Sequence, residues 1–305
     1  MKCVRYIDLT FRELEAMNRD RTVVFSSLSP IETHGDHLPL GTDLFIAESV
    51  RDGIMERFGE KRPEFSGLLL PTLALGANAI PVSGSVEIRH SAIYHALLDT
   101  GRTLADLGFR TWVLTDNHGG PLHQIAVETA SRKLARKNLT LVAPFNVLFR
   151  RMVNRDADLL KRTGLPPDGC GAPDDSHAGA NETSLMLSLH PDKVRETWDT
   201  VGPGKRSPSG LPLKLLDRLG RLMTSAGLRD AGTDLQFLAG GLAWVTDPDM
   251  APYQGTPSRA AREAGSAMFD YHVDLGVSLL EEALAGNYRG SIPMGWSLRF
   301  LRFFM

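Results

Sequence analysis

Three short segments concentrate side chains that can bind metal ions or move protons. The first, "ETHGDHLPLGTD", contains Glu32, His34, His37 and Asp43. Glu32 and His34 are two residues apart, so an extended backbone directs both side chains to the same side, and the turn-forming residues that follow can bring Asp43 back towards them. Imidazole nitrogen with carboxylate oxygen is the ligand set of zinc, manganese or ferrous iron, whereas calcium prefers oxygen alone.

The other two segments add similar side chains. "TWVLTDNHGG" ends an apolar run with His118, and the small residues Gly119 and Gly120 allow the backbone to approach closely. "DDSHAGANETS" contains His177 and Glu182 at the start of a helical run. Taken alone, the first segment is equally compatible with solvated loop residues. Three segments that each pair a histidine with a carboxylate or with two glycines favour a shared metal centre.

Apolar runs of strand length precede or separate these segments. Apolar residues occupy odd and even positions alike in these runs, which is typical of strands buried on both faces of a parallel sheet. Each run ends at Pro, Gly, Asp or Asn. The predicted strands are 22–29, 67–73, 110–116 and 139–145. The polar loops that carry the chemistry then lie at the carboxyl ends of the strands.

Amphipathic segments with helical spacing lie between the predicted strands, at 91–108 and 121–138. A capping box formed by Thr10 and Glu13 predicts a short first helix over about 10–18, and a long helix is predicted at 257–286. This alternation predicts an α/β layer sandwich with a parallel sheet and right-handed crossovers. No linker-like composition shift or internal repeat divides the chain, so one domain over 1–305 is expected.

The composition limits the partners and the compartment. The chain has 305 residues, 42% of them hydrophobic and 23% charged, with a formal net charge of −2 and no basic run, so no nucleic-acid partner is expected. Two cysteines give no disulfide framework, which favours a reducing, cytoplasmic setting. Neither a signal peptide nor a membrane span is predicted. For the tail "WSLRFLRFFM", packing against another subunit or the sheet is favoured over a membrane-surface anchor.

The motifs resemble those of the creatininase family. "ETHGDHLPLGTD" is similar to the family signature ExHGxHLPLxTD, and "NHGG" resembles the second motif, NGHGGN. "HAGANETS" resembles the third motif, HAGxxETS, and "GTPSRAAREAG" resembles a later stretch of the form GxPxxAxxxxG. The resemblance touches segments spread over residues 22–265.

The resemblance implies an α/β fold, a three-layer α/β/α sandwich with a mostly parallel central sheet, and it also implies a function. Members of this family are amidohydrolases that cleave a C–N amide bond of the cyclic amide or formamide type, with a hydroxide held between two divalent metal ions (Zn, Mn or Fe). By analogy the chain is expected to form a homo-oligomer, a hexamer, and to act on a small-molecule amide. Related activities include peptide trimming.

The resemblance also assigns roles residue by residue. Glu32 and His118 would bind one metal ion, His34 and Glu182 the other, and Asp43 would bridge them. His177 matches the general acid/base position, with Asp174 or Asp175 as a candidate orienting carboxylate. Four residues would shape or surround the site: Gly119 and Gly120 at its floor, His37 behind the ligands, and His123 one helical turn further on.

Several departures from the family pattern affect the substrate. The second motif reads Asp116-Asn117-His118-Gly119-Gly120-Pro121, so the hydrogen bonds around the ligands are predicted to differ. An SxEH segment found in many relatives is missing between 76 and 84, and no tryptophan precedes His177 in its loop, so creatinine is not the expected substrate. The altered motif also leaves open a non-catalytic metal- or ligand-binding protein that retains the fold.

Overall fold

The computed structural model describes residues 1–165, 175–204 and 210–290. Within them a five-stranded sheet has the order β1-β3-β2-β4-β5, and every neighbouring pair is parallel. The strands are β1 (Lys2–Arg5), β2 (Thr22–Ser27), β3 (Ser66–Leu69), β4 (Thr111–Thr115) and β5 (Thr140–Val142). The edge strand β1 was not predicted, because its residues are mostly exposed and form no apolar run.

Ten α-helices surround the sheet in the described residues. They are α1 (Phe11–Glu15), α2 (Thr42–Lys61), α3 (His90–Asp106), α4 (Pro121–Ala135), α5 (Pro144–Val153), α6 (Ala157–Thr163), α7 (Ala180–Leu189), α8 (Leu211–Ser225), α9 (Arg229–Val245) and α10 (Arg262–Leu284). The capping box at Thr10 and Glu13 is present as predicted. The predicted helix at 257–286 begins later, because a 3-10 turn at Pro257–Arg259 precedes α10.

Two hydrophobic clusters cover the opposite faces of the sheet. Val23 and Phe25 of β2 pack into one cluster with residues of α2, α5, α7 and α10. Val24, between them in the strand, points to the other cluster with residues of α3 and α4. Because successive strand residues face opposite sides, the apolar run of β2 fills both layers. The predicted three-layer α/β fold is confirmed.

The predicted strands end later than the observed ones. After β2 the chain stays extended, with Leu28 bridging Leu73 and its N–H donating to the Thr115 carbonyl at 2.9 Å. Leu28 and Leu73 are apolar, but they belong to the loops that leave the sheet. Helix α2 was not predicted, although it begins inside the first motif and carries Asp43 in its first turn.

Some predictions fall outside the described residues. These are the candidate Asp174 and the apolar C-terminal tail. In the part of the chain that the structure describes, none of the helices combines the length and apolar character needed to cross a bilayer.

Candidate metal centre

The candidate site lies where the chain leaves β2 and β4 at their carboxyl ends. These strands are neighbours at the centre of the sheet, but the chain runs from β2 to β3 on the other side before it returns to β4. Such a reversal of strand order opens a crevice in parallel sheets. The loop after β2 supplies Glu32 and His34, the loop after β4 supplies His118, and the first turns of α2 and α7 supply Asp43 and Glu182.

His34 presents one fixed nitrogen to the carboxylates. Its Nδ1–H donates to the Glu32 carbonyl at 2.9 Å, since a carbonyl can only accept. The other nitrogen, Nε2, lies 3.6 Å from Asp43 Oδ1 and 3.7 Å from Glu182 Oε2. It has no hydrogen-bond partner and is fully buried. His34 therefore offers a lone pair to a site shared by two carboxylates.

His118 is fixed in the opposite way. Its Nε2–H donates to the Ala77 carbonyl at 2.9 Å, and its Nδ1 lies 3.1 Å from Glu32 Oε2 and 3.6 Å from Asp43 Oδ2. Gly120 lies directly beneath, and a Cβ atom there would overlap both the Ala77 carbonyl and the imidazole. A side chain at this position would therefore disturb the hydrogen bond that sets the tautomer.

The five side chains form two three-ligand groups that share Asp43. One group is Glu32, Asp43 and His118, the other is His34, Asp43 and Glu182, and the ligand atoms in each lie within 4.8 Å of one another. Glu32 Oε2, His34 Nε2 and Asp43 Oδ2 are buried without hydrogen-bond partners. Buried polar atoms nearly always have a hydrogen-bond partner. These three unpaired atoms are all able to coordinate a metal ion, so they fit a pair of divalent cations.

The charges of the cluster also favour bound cations. Burial acts to lower the pKa of His34, but the carboxylates of Asp43, Glu182 and Glu32 outweigh it and raise the pKa to about 10. Burial also acts to lower the pKa of His118, but the carboxylates of Glu32 and Asp43 outweigh it and hold the pKa well above its usual value. Burial raises the pKa of Glu182 to about 7. The site thus requires positive charge, which protons or metal ions can supply.

Main-chain amides and one unpredicted side chain hold the carboxylates. Glu32 Oε1 accepts from the Ile80 N–H at 2.6 Å, and Glu182 Oε2 accepts from the Ala178 N–H at 2.6 Å. Asn117 Nδ2 donates to both Asp43 Oδ1 and Glu182 Oε1 at 3.0 Å. The signal for Asn117 was its departure from the glycine of the family motif.

The other unusual residue of this motif, Asp116, organises the loop that carries His118. Asp116 Oδ1 accepts from the Ser29 hydroxyl at 2.7 Å and from the main-chain N–H groups of Asn117 and His118 at 2.8 and 3.0 Å. Asp116 Oδ2 accepts from Gln124 Nε2 at 2.6 Å and lies 3.0 Å from His123 Nε2. The buried carboxylate thereby fixes the backbone on both sides of Asn117.

His177 lies beside the cluster. Its Nε2–H donates to the Thr33 carbonyl at 2.7 Å, and its ring centroid is 4.3 Å from that of His34. A nitrogen of His177 also falls within 4.8 Å of ligand atoms of Glu32 and His34. Burial and the neighbouring His34 lower the pKa of His177 to about 4, so the ring is neutral. Trp244 of α9 also packs against His177, at 5.3 Å between ring centroids.

Asp175 does not orient His177 in this structure. Its two oxygens accept from the N–H groups of Ala180 and Asn181 at 2.7 and 3.2 Å, in the first turn of α7. Helix starts leave such N–H groups unpaired, and the carboxylate satisfies two of them. Asp175 therefore supports the helix that carries Glu182, and a main-chain carbonyl holds His177 instead.

The remaining predicted residues surround the ligands. His37 Nε2 lies 3.1 Å from both the Ala178 carbonyl and the Thr183 hydroxyl, and so ties the first motif to the third. His123 lies behind His118, at 5.2 Å between ring centroids, and it does not line the cavity. Gly119 lines the cavity, where a Cβ atom would come within 2.9 Å of Phe149.

A cavity of about 60 Å³ opens onto the cluster. Asp43, Asn117, His118, His177 and Glu182 line its polar side. Its other walls are largely apolar and include Phe145, Leu148, Phe149, Leu185, Met268 and His272. Val153 and Phe237 line both this cavity and a larger surface cleft of about 700 Å³. The cluster is therefore close to a route from solvent.

Comparisons with known proteins agree with these motifs. A family model, Creatininase, described as creatinine amidohydrolase, matches residues 7–280. The mycofactocin precursor peptide peptidase of Mycolicibacterium smegmatis is 31% identical over 188 residues, which are 61% of this chain and 64% of that protein. The match thus spans slightly less than two thirds of that relative's own length. Creatinine amidohydrolase of Pseudomonas putida is 27% identical over 195 residues, covering 61% of this chain and 72% of that protein.

A solved structure also matches. The structure named creatininase Mn superposes with a TM-score of 0.61 and 21% sequence identity, covering 93% of this chain and 99% of the other. At this level of identity the likeness establishes the fold, and the arrangement of layers and strands is common to both proteins.

Proposed function

This chain belongs to the creatininase family, and we propose that it is an amidohydrolase. In this proposal it binds two divalent ions (Zn, Mn or Fe) and cleaves a C–N amide bond of the cyclic amide or formamide type. The observation that carries the proposal is the pair of three-ligand groups sharing Asp43, with buried donor atoms that lack partners. Two histidines with three carboxylates suit these borderline ions.

The ligand residues have defined tasks in this proposal. Two divalent cations, when bound, supply Lewis acidity towards the amide carbonyl and a water of lowered pKa. Glu32, Asp43 and Glu182 offset much of their charge. The two carbonyl-bound imidazoles direct Nδ1 of His118 and Nε2 of His34 at the site, with no reorganisation needed on binding.

His177 is the candidate proton carrier. Cleavage of an amide breaks the C–N bond, and the leaving nitrogen has to gain a proton. The neutral ring of His177 donates Nε2–H to the Thr33 carbonyl, which leaves the Nδ1 lone pair to accept a proton and pass it on. Asn117 and Asp116 hold Asp43, Glu182 and the His118 loop in place while this occurs.

A second candidate reaction is cleavage of a peptide bond. The observation that favours it is the 31% identity to a protein named as a peptide peptidase. Peptide, formamide and lactam hydrolysis break the same kind of bond, so the same ligands and the same proton carrier serve each of them. We further propose that the chain acts as one domain, in the cytoplasm and as a homo-oligomer.

Metal content and turnover test the proposal together. Protein purified without chelator is expected to contain about two divalent ions per chain and to hydrolyse at least one member of a panel of lactams, cyclic ureides, formamides and short peptides. Replacing His177 by Ala is expected to lower kcat by about 10²–10⁴-fold while the metal content is retained. Less than about one ion per chain, or no turnover by metal-replete protein, favours the non-catalytic binding protein.

A further inference from the structure

His272 is a buried histidine that the proposed reaction does not use. It lies in α10 with 1% of its surface exposed, and neither ring nitrogen has a hydrogen-bond partner among the described residues. It lines the cavity that opens onto the candidate metal centre. No pattern around it in the sequence distinguishes it from an ordinary core residue.

The chemistry of this ring requires a partner. Burial lowers the pKa of His272 to about 4, so the ring is neutral and carries one N–H donor and one acceptor nitrogen. Buried polar atoms in folded proteins are nearly always hydrogen-bonded. A leucine or methionine would fill the same position without leaving two polar atoms unpaired. The imidazole therefore offers one donor and one acceptor to a polar group that enters the cavity.

The walls around His272 limit what can enter. Phe145 packs against the ring at 5.9 Å between centroids, and Leu148, Phe149 and Met268 line the same cavity. These apolar side chains carry no charge, so an anionic group here would lose its water without gaining an opposite charge, and the nearby Asp116 carboxylate, whose charge acts on His272, would repel it. The volume of about 60 Å³ is well below the roughly 150 Å³ of a cavity that holds benzene. The space thus suits a group of a few heavy atoms, smaller than an aromatic ring.

We propose that His272 is a specificity-determining residue that hydrogen-bonds a hydroxyl on a short, otherwise apolar group next to the scissile amide of the substrate. The inference rests on the proposed function, because it places the scissile bond at the candidate metal centre on the polar side of the same cavity. A hydroxyl both donates and accepts, as the neutral imidazole does, and it adds little volume to a short aliphatic group.

Threonine and valine provide a matched pair of probes, since they differ by a hydroxyl in place of a methyl. Metal-replete protein is assayed with N-formyl-threoninamide and N-formyl-valinamide, and with the dipeptides Thr-Ala and Val-Ala. We expect kcat/KM to be about tenfold higher for the threonine compound than for the valine compound in at least one pair. N-formyl-phenylalaninamide is expected to be a poorer substrate than either formyl compound, because its ring exceeds the cavity.

Variants separate a specificity role from a structural one. His272→Leu fills the space and removes both unpaired atoms, so it is expected to retain metal and unfolding temperature while the threonine preference falls to about onefold. His272→Gln keeps a donor and an acceptor and is expected to retain part of the preference. His95→Leu, at an exposed histidine of α3, is the matched control and is expected to keep the wild-type ratio.

In the assays, the inference is overturned by a wild-type protein that treats threonine and valine compounds alike, or by an unchanged preference in His272→Leu. If no amide is cleaved, the proposed function fails, and calorimetric binding of threoninamide against valinamide to wild type and His272→Leu still decides the role of His272. If His272→Leu does not fold, the imidazole ¹⁵N shifts of His272 in wild-type protein serve instead. They are expected to move on addition of threoninamide, and an absence of movement contradicts the proposal.

Discussion

At the scale of single residues, a main-chain carbonyl decides which nitrogen each candidate ligand histidine presents. His34 gives its Nδ1–H to the Glu32 carbonyl and turns Nε2 to the carboxylates, whereas His118 gives its Nε2–H to the Ala77 carbonyl and turns Nδ1 inward. Hydrogen bonds of this kind fix the tautomer and orientation of metal-binding imidazoles. The two rings enter the cluster from different loops and meet at Asp43.

Both three-ligand groups share Asp43, whereas His118 belongs to one of them. Replacing these two residues is therefore expected to remove different numbers of metal ions. His118→Ala is expected to lower the metal content from about two ions per chain to about one, and Asp43→Ala to remove both. Plasma emission spectrometry of dialysed protein measures the content, with His95→Ala as a control that keeps the wild-type value. Two ions retained by Asp43→Ala would exclude a bridging role.

The buried histidines predict how acid affects stability. Burial lowers the pKa of His272 from 6.5 to about 4, and the pKa values of His37 and His177 fall to about 4 as well, mainly through burial. Between these values the unfolded chain binds protons that the folded protein does not, so stability present above pH 6.5 is lost as the pH falls towards 4.

His272→Leu removes one of these groups. Metal-free variant protein is expected to lose roughly 2 kcal/mol less unfolding free energy than metal-free wild type between about pH 7 and about pH 4.5. Urea unfolding at the two pH values measures the difference, and the exposed-site variant His95→Leu serves as the control. An equal loss in His272→Leu and wild type would show that His272 titrates normally in the folded protein.

At the scale of elements, the turn between β4 and α4 is the part of the site with least room for change. Asp116 fixes its backbone through two main-chain N–H groups, and Gly120 lies against the Ala77 carbonyl and the His118 ring. Pro121 then begins α4, at a helical position where its missing N–H costs nothing. A small displacement here moves the His118 nitrogen that faces Glu32 and Asp43.

Gly120→Ala tests this constraint. The added methyl group overlaps the Ala77 carbonyl and His118 Nε2, so we expect a loss of about 1–3 kcal/mol in unfolding free energy together with weaker binding of one metal ion. Gly202→Ala is the matched control, because a Cβ atom there meets nothing within 4 Å. Equal stability and metal affinity in the two variants would contradict the close packing of Gly120.

At the scale of the whole molecule, helix α8 carries apolar side chains on an exposed face. Leu211, Leu215, Leu219 and Leu222 are 71%, 55%, 49% and 66% exposed, and their spacing of three or four residues places them along one side of the helix. Single exposed apolar residues are ordinary, but a row of four is a feature of surfaces that bind other proteins. The row is compatible with the proposed homo-oligomer.

The oligomer is expected to dissociate when this face becomes charged. The double variant Leu215→Glu and Leu219→Glu is expected to have a lower mass by light scattering than wild type, because carboxylates are not readily buried without partners. Lys133→Glu, on the exposed side of α4, is the control and keeps the wild-type mass. A monomeric wild type would contradict the proposed oligomer, and an unchanged mass in the double variant would exclude α8 as the interface.

The sequence by itself determined the layer order and the set of side chains that meet at the candidate metal centre. The five candidate ligands and His177 lie in motifs with fixed spacing. The strand and helix periods place the first two motifs at the carboxyl ends of strands and the third at the start of a helix. The α/β fold and the approximate bounds of α3 and α4 follow from the same local patterns, which depend only on backbone geometry. The altered motif also drew attention to Asp116 and Asn117, which hydrogen-bond the His118 main-chain N–H and the carboxylates of Asp43 and Glu182.

Only the tertiary structure decided which groups hold these side chains in place. The carbonyls of Ala77 and Thr33 fix His118 and His177, Asp175 supports α7, and His272 reaches the cavity from α10. Every residue has a carbonyl, and a lone histidine in an amphipathic helix resembles any core residue, so no spacing rule marks them. Their roles arise from the packing of segments far apart in the chain, which local periodicity does not encode.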